Sequence, residues 1–355
     1  MPLEEARVAP SRLAPPDSLA AVATRVPREL ATRAHGRAYR DIVRGFAGDY
    51  ASAPDLVIEP RTEDDVRAAL DWASERGYAI IPYGGGTSVV SGVEIDDREA
   101  FSAVVCLDLR RMDRVLEIDA ASQAARIQAG ASGPRLEEQL RAHGLTLRFF
   151  PQSFELSTLG GWIATRAGGH FATLHTHIDD LVESTRMLTP RGVLESRRLP
   201  ASGAGPSPDR LVLGSEGALG VITEAWVRVR PRPVHRASAS VRFSEWSDAV
   251  LATRAVAQSH LYPSNCRLLD KREALINRVA TDGTHVLLLG FESADHPVEP
   301  WMERALEITA DHRGRCKEGA TYKKTLPPRR PRGATRRAIA GGRPSSTPRT
   351  SSTPW

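Results

Sequence analysis

Cysteine is scarce: three residues in 355, at Cys106, Cys266 and Cys316. That number and scatter exclude a disulfide framework and read as free or buried thiols of a reducing compartment. Long hydrophobic runs are also missing. No stretch of 18 apolar residues occurs, which excludes a membrane-spanning helix of ordinary length. The opening "MPLEEARVAPSRLAPP" carries acidic residues and no apolar block, so no secretory signal is expected. A cytoplasmic protein is the expectation.

Acid is absent from one segment only. The formal charge of the chain is +5, yet residues 325–355 hold seven arginines and no Asp or Glu. The remainder therefore carries −2, and the basicity belongs to the tail. A body of that charge is not a nucleic-acid binder. The tail, rich in Pro, Arg, Ser, Thr and Gly, has the composition of disorder. Its abrupt onset reads as a change of reading frame or a premature end. The chain is 41% hydrophobic and 26% charged. That balance is globular, and the length supports two domains.

A helical stretch is expected around 31–43, then a strand in "PDLVIEP". Thr62 is a good N-cap, with Glu63, Asp64 and Asp65 in the first turn. Val66, Ala69, Leu70 and Ala73 follow at helical spacing, and Gly77 stops the helix. "YAIIP" completes a strand–helix–strand unit. "SAVVCLDL", "RVLEID" and "AARIQAG" read as strands. Gly133 and Pro134 open a helix with Leu136 and Leu140 inward. Residues 145–175 are irregular by periodicity. "ESTRMLTPRGVLES" reads as a strand pair turning at Pro190–Gly192. Val221, Thr223, Ala225, Val227 and Val229 alternate on one strand face. After Pro233 an α+β pattern begins, with strands in "SASVRFSEW", "HLYPSNCRLLD" and "THVLLLGFES".

Glycine is concentrated where strands end. "IPYGGGTSVVSG" places Gly84, Gly85 and Gly86 directly after a strand, with Thr87, Ser88 and Ser91 beside them. Such a run lets backbone N–H groups approach an anion closely. It is neither GxGxxG nor a Walker A sequence. "STLGGWIATRAGG" (157–169) and "GSEGALGVIT" (214–223) are two further clusters. Each alone is a turn. Together they suggest a groove for a long ligand carrying a pyrophosphate.

Those segments resemble the PCMH-type FAD-binding flavoproteins of the vanillyl-alcohol-oxidase superfamily. "PDLVIEPRTEDDVRAAL", "IPYGGGTS", "IQAGASGPRLEEQL", "PQSFELSTLGGWIATRAGG" and "LGSEGALGVITEAWVRVRP" occur in family order and spacing. "GGGTSVVSG", "IDDLVESTRMLTPRG", "RLLD" and the upstream "RAHGRAYRDI" look most like the alkyldihydroxyacetonephosphate synthase branch, which belongs to ether-lipid synthesis. The resemblance implies an α+β fold: an N-terminal extension (1–53), an FAD-binding domain of two α/β subdomains (54–233), a partial cap domain (234–322) and the basic tail (323–355).

The resemblance also implies a site. Pro82, Gly84, Gly85, Gly86, Thr87 and Ser88 would wrap the FAD pyrophosphate. Pro151, Ser153, Thr158, Gly160 and Gly161 would follow the second loop and the ribityl chain. Thr165, Ala167 and Gly168 would approach the flavin ring, and Glu216, Val221 and Ile222 the ribose side and ring edge. FAD would be noncovalent, because Thr87 stands where some relatives place a tethering His. Arg267 would face the active site from the cap as a catalytic cation. Its alternative is an ordinary arginine on an edge strand.

Three activities stay open: an FAD-dependent exchange of acyl for alkyl on dihydroxyacetone phosphate, an FAD-linked oxidase or dehydrogenase of a 2-hydroxy acid, or a catalytically incomplete flavin binder. The family's tyrosine and histidine cluster has no match here. The implied partners are a small-molecule or lipid substrate, a peripheral membrane contact and a second copy in a homodimer; nucleic acid is not among them. His175 and His177, two apart, could share a metal on a strand face, but no Cys or carboxylate cluster supports one. Asp179 and Asp180 read as a turn cap and a solvated residue. Trp162, Trp226 and Trp246 are expected in the core.

Overall fold

Thr62 starts the first long helix as its residue type demands. Its hydroxyl accepts the Asp65 amide at 3.2 Å, and the Asp65 carboxylate accepts the Thr62 amide at 2.9 Å. Gly77 ends the helix in the left-handed region, with φ +66°, the usual glycine stop. The computed structural model describes residues 6, 8–95, 97–170, 177–199 and 202–325.

The first sheet joins β1 (Ala23–Thr24), β2 (Leu56–Ile58), β3 (Ala79–Tyr83) and β4 (Val104–Asp108) in the order β1-β2-β4-β3. β2, β4 and β3 are parallel, and β1 is an antiparallel edge. Parallel neighbours need a crossover. The helix after Thr62 lies between β2 and β3 in the chain and supplies one. The single helix expected over 31–43 is instead two, α1 (Pro27–Ala31) and α2 (Tyr39–Ala47). The break lies at Gly36, where the backbone passes so close to Ser88 that a β-carbon would meet its carbonyl oxygen at 2.2 Å. The long helix is α3 (Glu63–Arg76).

The second sheet is antiparallel. Its strands β5 (Val115–Asp119), β6 (Ala124–Gln128), β8 (Val182–Thr189), β9 (Gly192–Glu195) and β10 (Val221–Arg228) run in the order β5-β6-β10-β8-β9. β7 (Leu145–Thr146) pairs with β11 (Arg230–Pro231). Helices α4 (Gly133–Arg141), α5 (Leu159–Thr165) and α6 (Pro208–Val212) belong to this half. Leu136 and Leu140 of α4 are fully buried, as their spacing predicts.

β10 departs from simple alternation. Val221, Thr223, Ala225 and Val227 are buried, and so is Ile222. A register shift between Ile222 and Glu224 explains this, since a bulge turns neighbouring side chains out of strict alternation. Val221 packs into the core of the first sheet and Ile222 into that of the second. One irregular pair of residues thus welds the two subdomains.

The last sheet, β12 (His235–Phe243), β13 (Asn265–Leu269), β14 (His285–Ser293) and β15 (Thr321–Lys324), runs in the order β13-β14-β12-β15, all antiparallel. α7 (Trp246–Gln258) and α9 (Glu299–Asp311) cover one face, packing Ala252, Val256, Met302 and Ala305 on Val241, Phe243, Leu287 and Phe291. α8 (Lys271–Ile276) follows β13. Lys323 and Lys324 pair with Arg236 and His235, so regular structure continues past 322, where composition alone set the boundary. Of the three tryptophans expected in the core, Trp162 lies there. Trp226 is half-buried, with the Arg198 guanidinium 4.4 Å from its ring centre. Trp246 is 45% exposed, because it opens α7 at the domain surface.

Candidate FAD site

The end of β3 delivers the first glycine loop to a cavity of about 400 Å³. The loop is fixed from behind: Arg37 donates its amide to the Ser88 carbonyl at 2.8 Å, and the Ser88 hydroxyl accepts the amides of Val90 and Gly92. Tyr83, the last strand residue, is 6% exposed and donates to the Thr32 carbonyl at 3.3 Å. Burial pushes its phenol up to about 12, so it stays protonated.

The segment 151–169, irregular by periodicity, contains α5. Thr158 caps it, its hydroxyl accepting the Gly161 amide at 3.4 Å, as a threonine at that position does. Periodicity missed this helix because Gly160 and Gly161 carry no side chain to count. A β-carbon on Gly160 would lie 2.8 Å from that of Ala129, which is what brings α5 onto β6. The indole of Trp162 donates to the Ser157 hydroxyl at 2.7 Å. The third cluster docks beside α5, with Gly214 and Glu216 donating amides to Ile163 and Ala164, each at 3.0 Å.

The three glycine clusters therefore meet. Pro82, Gly84, Gly85, Gly86, Thr87, Ser88, Ser153, Thr158, Gly160, Gly161, Thr165, Ala167, Glu216 and Ile222 all line the one cavity. Pro151, Gly168 and Val221 do not line it. Pro151 is buried, and its carbonyl accepts the Phe154 amide at 3.0 Å. Gly168 bridges to His177, and Val221 lies in the core. Tyr83, Val89, Val90, Leu109, Ala129, Ser157 and Trp162 also line it without having been named as site residues. Leu109 and Ala129 reach it only because β4 and β6 end there, and spacing carries no signal of that.

The lining fits a dinucleotide whose charge is met by backbone. Glu216 is the only charged side chain among the described lining residues, so no Lys or Arg meets an anion there. Among the described residues, no protein acceptor takes the amides of Gly85, Gly86, Thr87 or Ser88. Four such donors on one loop form a ready anion cradle. The first-turn amides of α5 are different: Leu159 and Gly160 donate to Ala131 and Ala129. The amides left without a protein acceptor therefore lie on the first loop. The rest of the wall is apolar enough for a ring system.

Other sequence candidates fall away from this cavity. Arg267 is exposed on the edge strand β13, 3.5 Å from Glu273, and is not a lining residue. His175 lies outside the described residues, and His177 pairs only its backbone with Gly168. No metal-binding group of His, Cys, Asp or Glu occurs among the described residues. Asp179 holds Arg166 and Arg210 at 2.6 and 2.7 Å, while Asp180 is exposed. Both lie in a short 3-10 turn rather than a strand.

Comparison with known proteins agrees with this geometry. Residues 54–196 match the FAD binding domain and residues 232–338 the FAD linked oxidases, C-terminal domain. The second match runs past 323, into the arginine-rich segment set apart on composition. The chain is 38% identical over 246 residues to alkyldihydroxyacetonephosphate synthase of Dictyostelium discoideum, covering 69% of this chain and 40% of that protein. It is 34% identical over 254 residues to the synthase of Caenorhabditis elegans, covering 70% and 42%. The mitochondrial D-lactate dehydrogenase (cytochrome) of Arabidopsis thaliana is 34% identical over 221 residues, covering 61% and 38%. A solved alkyldihydroxyacetonephosphate synthase superposes with a TM-score of 0.82 at 29% identity, covering 90% of this chain and 65% of that one. The chain thus spans about two fifths of the length of these curated relatives. With these two domains in this order around one glycine-walled cavity, the chain belongs to the PCMH-type FAD-binding flavoproteins, and its cofactor is FAD.

Proposed function

We propose that the chain holds FAD noncovalently and takes part in alkyl transfer of the synthase type, in which the alkoxy group of a fatty alcohol replaces the acyloxy group of an acyl-dihydroxyacetone phosphate and the fatty acid leaves. The observation that carries the reading is the meeting of three glycine clusters in one cavity, in a chain similar over most of its length to named synthases. FAD supplies the reactive ring, and the protein supplies binding and orientation.

Each wall has its task. The amides of Gly85 to Ser88 hold the pyrophosphate without a side-chain cation. Thr87 offers a hydroxyl rather than an imidazole, which supports noncovalent binding. Ala129, Trp162, Ala164 and Ile222 exclude water from the ring.

The test is anaerobic. Purified chain with bound flavin is mixed either with an acyl substrate and labelled fatty alcohol or with a 2-hydroxy acid. Label incorporation without bleaching of the flavin is the expected result. Bleaching by lactate or glycolate would assign the chain to the hydroxy-acid enzymes instead. Flavin binding with neither reaction would leave a non-catalytic binder.

A further inference from the structure

Residues 27–52 lie outside both matched domains, yet they stand directly behind the first glycine loop. α1 and the turn after it pack Leu30, Ala31 and Ala34 on Tyr83 of β3, in one cluster with Val57 and Cys106. Val93, a residue of the cavity wall, packs against the same cluster. The extension therefore shares a core with the strand and the loop that form the cofactor wall.

Its polar contacts reach further along the loop. The Ser88 carbonyl accepts the Arg37 amide, and a trans peptide points its N–H away from its carbonyl. The Val89 N–H is thus turned away from the extension. Val89 lines the cavity, and among the described residues no protein acceptor takes its amide. Ser91 sits in the left-handed region, with φ +64°, a conformation that a serine keeps only where its surroundings hold it. Arg40 of α2 bonds its hydroxyl, and its carbonyl accepts the Glu94 amide at 3.0 Å.

These contacts converge on Glu94. Its side chain is 5% exposed and accepts Arg40 at 2.9 Å, Arg44 at 2.6 Å and the Ser52 hydroxyl at 3.1 Å. Arg44 in turn reaches Asp49 at 3.0 Å and Ser52 at 3.1 Å. Two guanidiniums on one buried carboxylate make a stiff join, because charge-assisted hydrogen bonds are strong where water is excluded.

We infer that Glu94 is a positioning residue for FAD: through Arg40 and Arg44 it clamps the N-terminal extension to the glycine loop and holds the loop amides in place for an anion. This rests on the reading that the loop binds the pyrophosphate. It makes the extension, a segment outside the FAD-binding domain, a working part of the cofactor site. A loop without the clamp has to be ordered at each binding event, and that cost lowers affinity.

The test strips FAD from the full chain and follows its rebinding by flavin fluorescence. Glu94→Gln keeps the shape of the side chain and removes its charge. It should raise the FAD dissociation constant by about tenfold or more, the range for losing a hydrogen-bonded charge. Arg44→Gln should act in the same direction, and the double variant should lose less than the two losses combined, since both break one join. Hydrogen exchange of the flavin-free chain should quicken at residues 84–94 and stay unchanged along β10. Gly36→Ala, whose β-carbon would meet the Ser88 carbonyl oxygen at 2.2 Å, disturbs the same join from the other side. It too should weaken FAD binding, and it serves if Glu94→Gln does not fold. Wild-type affinity in Glu94→Gln overturns the inference. So do losses that simply add, or exchange that quickens over the whole chain, the mark of a residue that only supports the fold. If Gly85→Val loses its flavin while Glu94→Gln binds as the wild type does, the loop keeps its role and only the clamp falls. If both variants keep their flavin, the reading of the loop falls as well.

Discussion

A β-carbon on Gly85 would stand 2.0 Å from the carbonyl oxygen of Leu156. The first glycine loop and the segment before α5 therefore touch backbone to backbone, and this contact sets the width of that end of the cavity. Neither partner is a side chain that could swing aside.

Gly85→Val should accordingly cost about 1–3 kcal/mol through overpacking and push the loop out of place. Flavin absorbance per mole of purified protein is expected to fall close to zero. A variant that keeps full flavin content would show that the loop does not hold the cofactor.

Gly86 has φ +62°, and its β-carbon would meet the Tyr83 hydroxyl at 2.0 Å. Gly86→Ala combines a left-handed backbone penalty of about 1 kcal/mol with that collision. FAD affinity, measured by fluorescence quenching on reconstitution, should drop at least as much as the backbone term implies. Adding Tyr83→Phe should recover part of the loss, because it removes the oxygen that the new methyl meets.

Ser157→Ala leaves the buried indole N–H of Trp162 without its 2.7 Å acceptor. The expected loss is about 1–3 kcal/mol, the range for an unsatisfied buried donor. Urea denaturation followed by tryptophan emission measures it. Ser157→Thr, which keeps a hydroxyl, should lose less.

Glu63 joins the two FAD subdomains by a fork on Arg186 at 2.8 and 2.9 Å. The Arg186 hydrogen bonds lead in holding its carboxyl below the ordinary 4.5, against burial, with help from Thr223. A depressed folded-state pKa stabilises above the unfolded value and loses that contribution as pH falls through the folded one. The stability gap between wild type and Glu63→Gln should be constant near neutrality and close below about pH 4.5. A gap that widens on acidification would contradict the assignment.

Glu292 on β14 grips Arg148 beyond β7, with the Nε contact at 2.8 Å, and is an ionic link between cap and FAD domain. Glu292→Ala leaves a largely buried guanidinium without that carboxylate, at a cost of about 1–3 kcal/mol given its partial solvent access. Calorimetry should show the cap unfolding earlier than in the wild type. An unchanged single transition would mean the apolar contacts alone hold the domains together.

Much of the cavity wall was legible from residue types. Gly84 to Ser88 alone read as a turn, and only with the two later glycine clusters did they suggest a groove for an anionic ligand. α5 was not legible, because helix periodicity is read from side chains and the helix opens on Gly160 and Gly161. The split between α1 and α2 was hidden for a related reason. Gly36 is demanded by Ser88, a residue far along the chain. Trp246 was misplaced because aromatic character alone does not say which end of a helix meets solvent.

By itself the sequence determined the local matters: the capped helix from Thr62 to Gly77, the alternating strands, the glycine turns and the basic segment after 325. These follow from backbone sterics and neighbours a few residues apart. Tertiary structure alone decided what those pieces share. It brought three glycine clusters, widely separated along the chain, onto one cavity. It left Arg267 on an outer edge strand, buried Asp41 and exposed Phe46. Each outcome depends on which surfaces meet, and that is settled by long-range packing rather than by any residue's own preference.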